Sequence, residues 1–163
     1  MKTIFTPIDS SEVNSEVVAT AGDLAKAINA RVVLLTVVQP PAFTAEYSTV
    51  LQNMAEVIAI GEKAAEKLLS ETKARLTSQG IEVETVQSTG APVVHIVEQA
   101  DRHQADFIVM GSHGHTAFYD LLVGSTTHGV LKRARCPVVI VPHRKQPSAG
   151  NPPPGSTLYP TGI

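Results

Sequence analysis

The sequence predicts a doubly wound α/β domain, a five-stranded parallel sheet with helices on both faces. Three observations carry this expectation. Short β-branched runs alternate with longer segments of helical period. Two of those runs, "RVVLLTVV" and "DFIVMG", are apolar at successive positions, as strands buried on both faces are. The chain has 163 residues, 43% hydrophobic and 17% charged, which suits one sizeable core and excludes bulk disorder.

"TIFTPI" (3–8) is the first strand, ending at a polar turn cluster. From 11 to 29, Val13, Val17, Ala21, Leu24, Ala25 and Ile28 recur at helical spacing. "RVVLLTVV" (31–38) is the second strand, stopped by Pro40 and Pro41. A connection with Phe43 and Tyr47 follows from 39 to 51; it reads first as a freely varying connection and second as cover for a ligand. The next helix runs from about 52 to 79, with Met54, Val57, Ile58, Ala65, Leu68, Leu69 and Leu76 on its apolar side. Gly80 ends it as a left-handed cap. "IEVETVQ" (81–87) alternates, as a strand near a sheet edge does. Pro92 opens a helix to about Arg102, with Val93, Ile96, Val97 and Ala100 inward. "DFIVMG" (106–111) is the fourth strand, a helix starts near Ser125, and "CPVVIVPH" (136–143) is the fifth strand. Residues 1–143 form the predicted domain; 144–163, with five prolines and no apolar period, read as a disordered tail.

Composition excludes several functions. A net charge of −2 supplies no field for nucleic acid or anionic lipid, and 4% aromatics with no Trp supply no base-stacking platform. The single Cys136 makes no internal disulfide and reads as a small buried hydrophobe. The N-terminus lacks a signal-peptide pattern and no apolar run reaches membrane-span length, so the expected setting is the cytoplasm.

The element order admits the flavodoxin-like sheet and the order 3-2-1-4-5. In the second, ligands bind where the strand order reverses, between strands one and four. The loops meeting there are "PIDSS" and "MGSHGH", the most polar and glycine-rich strand ends in the chain. Gly111 and Gly114 follow the fourth strand, and Gly124 and Ser125 open the last helix. Glycines admit close ligand approach, and helix-start amides with the Ser125 and Thr126 hydroxyls suit a phosphate. Taken alone, such glycines equally make a turn and precede a capped helix. Asp9 with Glu12 fits a helix capping box as well as a ligand contact. His113 and His115, with Asp120 the only nearby carboxylate, fall short of the three or four ligands a metal needs. Lys132, Arg133 and Arg135 complement the C-terminal dipole of the last helix.

The spacing G-x2-G-x9-G-S resembles the nucleotide-binding signature of the universal stress protein family. "IFTPIDSS", "GSHGH", "LLVGS" and "CPVVIVP" are similar to that family too, so the resemblance spans residues 1–143. It implies the order 3-2-1-4-5, a homodimer, and ATP or AMP across the strand reversal. Pro7 and Asp9 would flank base and ribose, and the Val37 backbone would meet the adenine edge. Met110 and Gly111 would line the ribose, while Gly114, Gly124, Ser125 and Thr126 would hold phosphates. Magnesium or manganese would arrive with those phosphates rather than at a protein-built site. The chain departs from the family pattern at Ser10, where glycine is common, and at Thr126, where a small apolar residue is.

Between Met110 and Gly129 there is no Lys or Arg, and the chain has no Walker pattern. Phosphoryl transfer relies on positioned cations, so the expectation is a sensor or adaptor with at most slow hydrolysis. The rival readings are a slow metal-dependent hydrolase using Asp9 or His115, and a dimeric interaction module without nucleotide. The last strand is apolar on both faces and lies at an edge in the order above. Pairing with its twin through Val138–Val141 would cover it.

Overall fold

The computed structural model describes residues 1–11, 14–40, 51–112 and 123–142, with side chains for all of these except 51–54. The elements run β1 (Lys2–Pro7), α1 (Asn14–Ile28), β2 (Ala30–Val38), α2 (Leu51–Thr77), β3 (Val83–Thr89), α3 (Pro92–Arg102), β4 (Phe107–Gly111), α4 (Ser125–Leu131) and β5 (Val138–Val141). The five strands form one sheet in the order β3-β2-β1-β4-β5, every neighbouring pair parallel. Parallel neighbours need crossovers, and α1, α2, α3 and α4 lie in them.

Strand alternation splits the core in two. Ile4, Val32, Leu34 and Val109 face α1 and α2, where they meet Val17, Val18, Ala21, Leu69 and Leu76. Phe5, Val33, Leu35, Ile108 and Met110 face the other way, against Ile96 and Ala100 of α3 and Val130 of α4. β2 is buried along most of its length because both faces are covered. β3, at the edge, buries only Val83 fully, as its alternating sequence predicts.

Several expectations shift in detail. The buried stripe of α1 is Val17, Val18, Ala21, Gly22 and Ala25, with Leu24 and Ile28 only half-buried. Gly22 belongs there because a Cβ on it would lie 3.0 Å from Leu76 Cδ2, so α1 and α2 approach closely at that point. Val57, expected on the apolar side of α2, is 49% exposed beside Ile60 at 62%. Helix α2 does end at a left-handed glycine: Gly80 has φ +80°, and Ile81 N–H donates back to Leu76 O. Arg133 donates to Gly129 O in the last turn of α4, as its dipole-complementing position predicts.

Candidate functional site

β1 and β4 are parallel neighbours at the point where the strand order reverses. Past Pro7, Ile8 N–H still donates to Leu35 O at 2.8 Å, and the Thr36 hydroxyl donates to Ile8 O at 3.2 Å. The chain then turns at Asp9, whose Oδ1 accepts from the Ser11 N–H at 3.0 Å and from the Ser11 hydroxyl. This is an Asx turn, in which the aspartate side chain substitutes for a backbone acceptor. It closes with Ser10 at its middle, so the turn forms without a glycine there. The capping-box reading of Asp9 with Glu12 lies partly outside the described residues; within them the Asp9 carboxylate accepts from Ser11 ahead of α1.

Across the reversal, β4 ends at Gly111. Ser112 N–H donates to Val141 O at 2.8 Å, and Gly124 N–H donates to Ser112 O at 2.7 Å. The chain therefore leaves and re-enters the site within one hydrogen bond. Thr127, 2% exposed, donates its hydroxyl to Gly111 O at 2.9 Å and ties α4 to the end of β4. Gly124 has φ −66° and ψ 159°, an extended conformation open to any residue. Its backbone thus does not require glycine. The Ser125, Thr126 and Thr127 amides belong to the first turn, where helix N–H groups lack intrahelical acceptors.

Two adjoining cavities open between these ends. The narrower is walled by Pro7, Asp9, Val37, Met110, Gly111 and Thr126, with Val17 of α1 and Ile96 of α3 reaching it from opposite faces of the sheet. The wider, about 490 Å³, lies between Gly124–Thr126 and α2, whose Gly61, Ala64, Ala65 and Leu68 form its far wall. Asp9, Val37 and Thr126 border both cavities. A Cβ on Gly61 would come within 3.0 Å of Val38 Cγ1, so glycine lets α2 approach the end of β2 here.

The predicted residues Pro7, Asp9, Val37, Met110, Gly111, Gly124, Ser125 and Thr126 are thus brought together around one cleft. Gly114 lies outside the described residues, as do Glu12, Phe43, Tyr47, His113, His115 and Asp120. Sequence reasoning missed Ser11, Asn14, Gln39 and Thr127. The hydroxyl run Ser125-Thr126-Thr127 was the available signal for the last, since one hydroxyl of a helical run can turn back onto the strand before it. No lysine or arginine lines either cavity among the described residues, and the one carboxylate is that of Asp9. Nor do those residues contain a group of three or more His, Cys, Asp or Glu able to hold a metal. Cys136 lies outside the cleft, half-buried, and desolvation raises its thiol pKa, with Asp101 adding to the rise. No helix among the described residues is long and apolar enough to cross a membrane.

A parallel 3-2-1-4-5 sheet with a cleft at its strand reversal defines a doubly wound α/β protein, a class in which ligands bind at that reversal. The family model for the universal stress protein family matches residues 1–142, and the chain belongs to that family. It is 33% identical over 148 residues to universal stress protein MJ0531 of Methanocaldococcus jannaschii, an alignment covering 89% of this chain and 84% of the relative. Among solved structures, the universal stress protein UspA from Lactobacillus plantarum superposes with a TM-score of 0.78 at 25% identity, covering 86% of this chain and 97% of that one. A universal stress protein solved in complex with cAMP superposes at 0.64 with 29% identity, covering 86% and 96%.

Proposed function

We propose that the cleft binds an adenine nucleotide, ATP or AMP, and that the chain works as a nucleotide-responsive sensor or adaptor. The observation that carries this reading is the meeting of two unlike cavities at Asp9, Val37 and Thr126. The narrower has largely apolar walls that suit a flat base; the wider has a volume in the ordinary range for small-ligand sites, about 300–1,000 Å³. The cAMP complex of a 29%-identical relative supports the same ligand class.

In this reading Pro7 and Asp9 flank base and ribose, the Val37 backbone meets the adenine edge, and Met110 and Gly111 line the ribose. Gly124, Ser125 and Thr126, with Gly114, hold phosphate oxygens through backbone amides and hydroxyls. These donors are neutral and fit a phosphate chain only with charge supplied from elsewhere; magnesium or manganese accompanying the phosphates supplies it. A second copy pairs through Val138–Val141, since β5 forms the sheet edge with half-buried apolar side chains.

The test is to purify the protein without added nucleotide, denature it, and identify released small molecules by chromatography and mass spectrometry. Calorimetric titration with ATP and AMP follows. An adenine nucleotide near one per chain, or saturable binding of either, is expected. An empty protein that binds neither overturns the reading and leaves the interaction module.

A further inference from the structure

We infer that Asn14 is a specificity-determining contact of the cleft, accepting a hydrogen bond from an N–H or O–H of the bound nucleoside; this rests on the nucleotide reading above. Asn14 is the first residue of α1 and helps line the narrower cavity. Its Oδ1 is shielded from solvent and has no hydrogen-bond partner, one of only two such side-chain atoms among the described residues. The other, Thr6 Oγ1, belongs to a fully buried side chain near the end of β1 and borders neither cavity.

A buried acceptor without a donor is costly, and native structures keep few of them. Asn is favoured at a helix start when its oxygen caps a backbone amide, but here Oδ1 caps none. The surroundings favour an apolar residue: Ile8, Val17 and Leu35 line the same cavity. The carboxylate that lines the same cavity, Asp9, is occupied at Oδ1 by both donors of Ser11. The Asn14 amide therefore stands as an unused acceptor in a largely apolar wall. Its last side-chain torsion is soft, so a rotation can present the oxygen to the cavity the residue borders. A partner must bring a donor hydrogen. On an adenine nucleoside those are the exocyclic amine, which a carboxamide matches well, and the ribose hydroxyls.

The experiment compares wild type, Asn14→Leu and Asn14→Ala by calorimetry with ATP, ITP, 2′-deoxy-ATP and 3′-deoxy-ATP. Melting of each ligand-free protein verifies folding. Both variants should bind ATP about tenfold more weakly than wild type, the effect of one ordinary hydrogen bond. Wild type should lose a similar factor with one analogue: ITP if the amine is the donor, a deoxy analogue if a hydroxyl is. Asn14→Leu should bind that analogue and ATP alike. Ligand-free Asn14→Leu should melt no lower than wild type, because an unpaired polar atom has been removed. The inference is overturned if the variants bind ATP as tightly as wild type. It is equally overturned if they keep the wild-type preference among analogues, or if wild type is indifferent to all three. A wild type that binds no ATP at all instead refutes the nucleotide reading beneath it.

Discussion

The tether between Thr127 and Gly111 can be tested by two substitutions that cost similar stability for opposite reasons. Thr127→Val keeps the shape, gains a buried methyl, and leaves the Gly111 carbonyl without the donor now 2.9 Å away. An unsatisfied partner costs about 1–3 kcal/mol, and the added methyl returns about 0.8 kcal/mol, so the net loss is about 1 kcal/mol. Thr127→Ser keeps the donor and loses one methyl from a fully buried site, also about 1 kcal/mol. Both variants should melt about 2–4 °C below wild type. They should part company in hydrogen exchange. Only the valine variant frees the start of α4, so only it should speed exchange of the His128 amide, which donates to Gly124 O, and of the Gly124 amide. Nucleotide affinity should fall in the same variant alone. Equal exchange in the two variants would refute the tether and leave Thr127 as packing.

Other parts of the structure yield sharper single outcomes. Gly129→Val should destabilise by about 1–3 kcal/mol in urea unfolding, because a Cβ there would lie 2.7 and 3.0 Å from the two γ carbons of Val93, which no rotation of a β-branched neighbour relieves. Cys136, with its pKa raised by desolvation, should react with iodoacetamide more slowly than a free thiol at pH 8. The raised value also means the unfolded thiol ionises first. Stability should therefore decline as pH climbs from the ordinary thiol pKa to the folded one, and Cys136→Ala should flatten that part of the profile. Light scattering at micromolar concentration should give twice the chain mass; a monomeric mass rejects pairing through Val138–Val141.

The strands were legible because burial on both faces leaves an uninterrupted apolar run, as in "RVVLLTVV", and burial on one face leaves alternation, as in β3. The helices were legible from periodicity, but their faces less so. α1 rotates enough to bury Val18 and Gly22 because α2 comes close on that side, and a small residue at 22 gives no hydrophobic signal. Val57 misled because apolar spacing does not say where a helix outruns the sheet beneath it. The cleft was found from strand ends and glycine spacing, which are local in sequence. Its hydrogen-bonding details were not. The Asp9 turn onto Ser11, and the lack of a partner for Asn14 Oδ1 among the described residues, depend on how the chain folds in space.

The narrower cavity is bordered by Val17 from one helical layer and Ile96 from the other. The two layers otherwise belong to separate apolar clusters on opposite faces of the sheet. A molecule seated there would touch both helical layers and the strand ends between them, a rivet through all three. Binding only to the folded form adds about 2.7 kcal/mol at a hundredfold excess over Kd. For a fold of ordinary stability, about 5–15 kcal/mol, that is a large share. The lifetime of the folded chain, and so its abundance under proteolysis, would then track the concentration of whatever fills the cleft, with no change of shape required to transmit the signal.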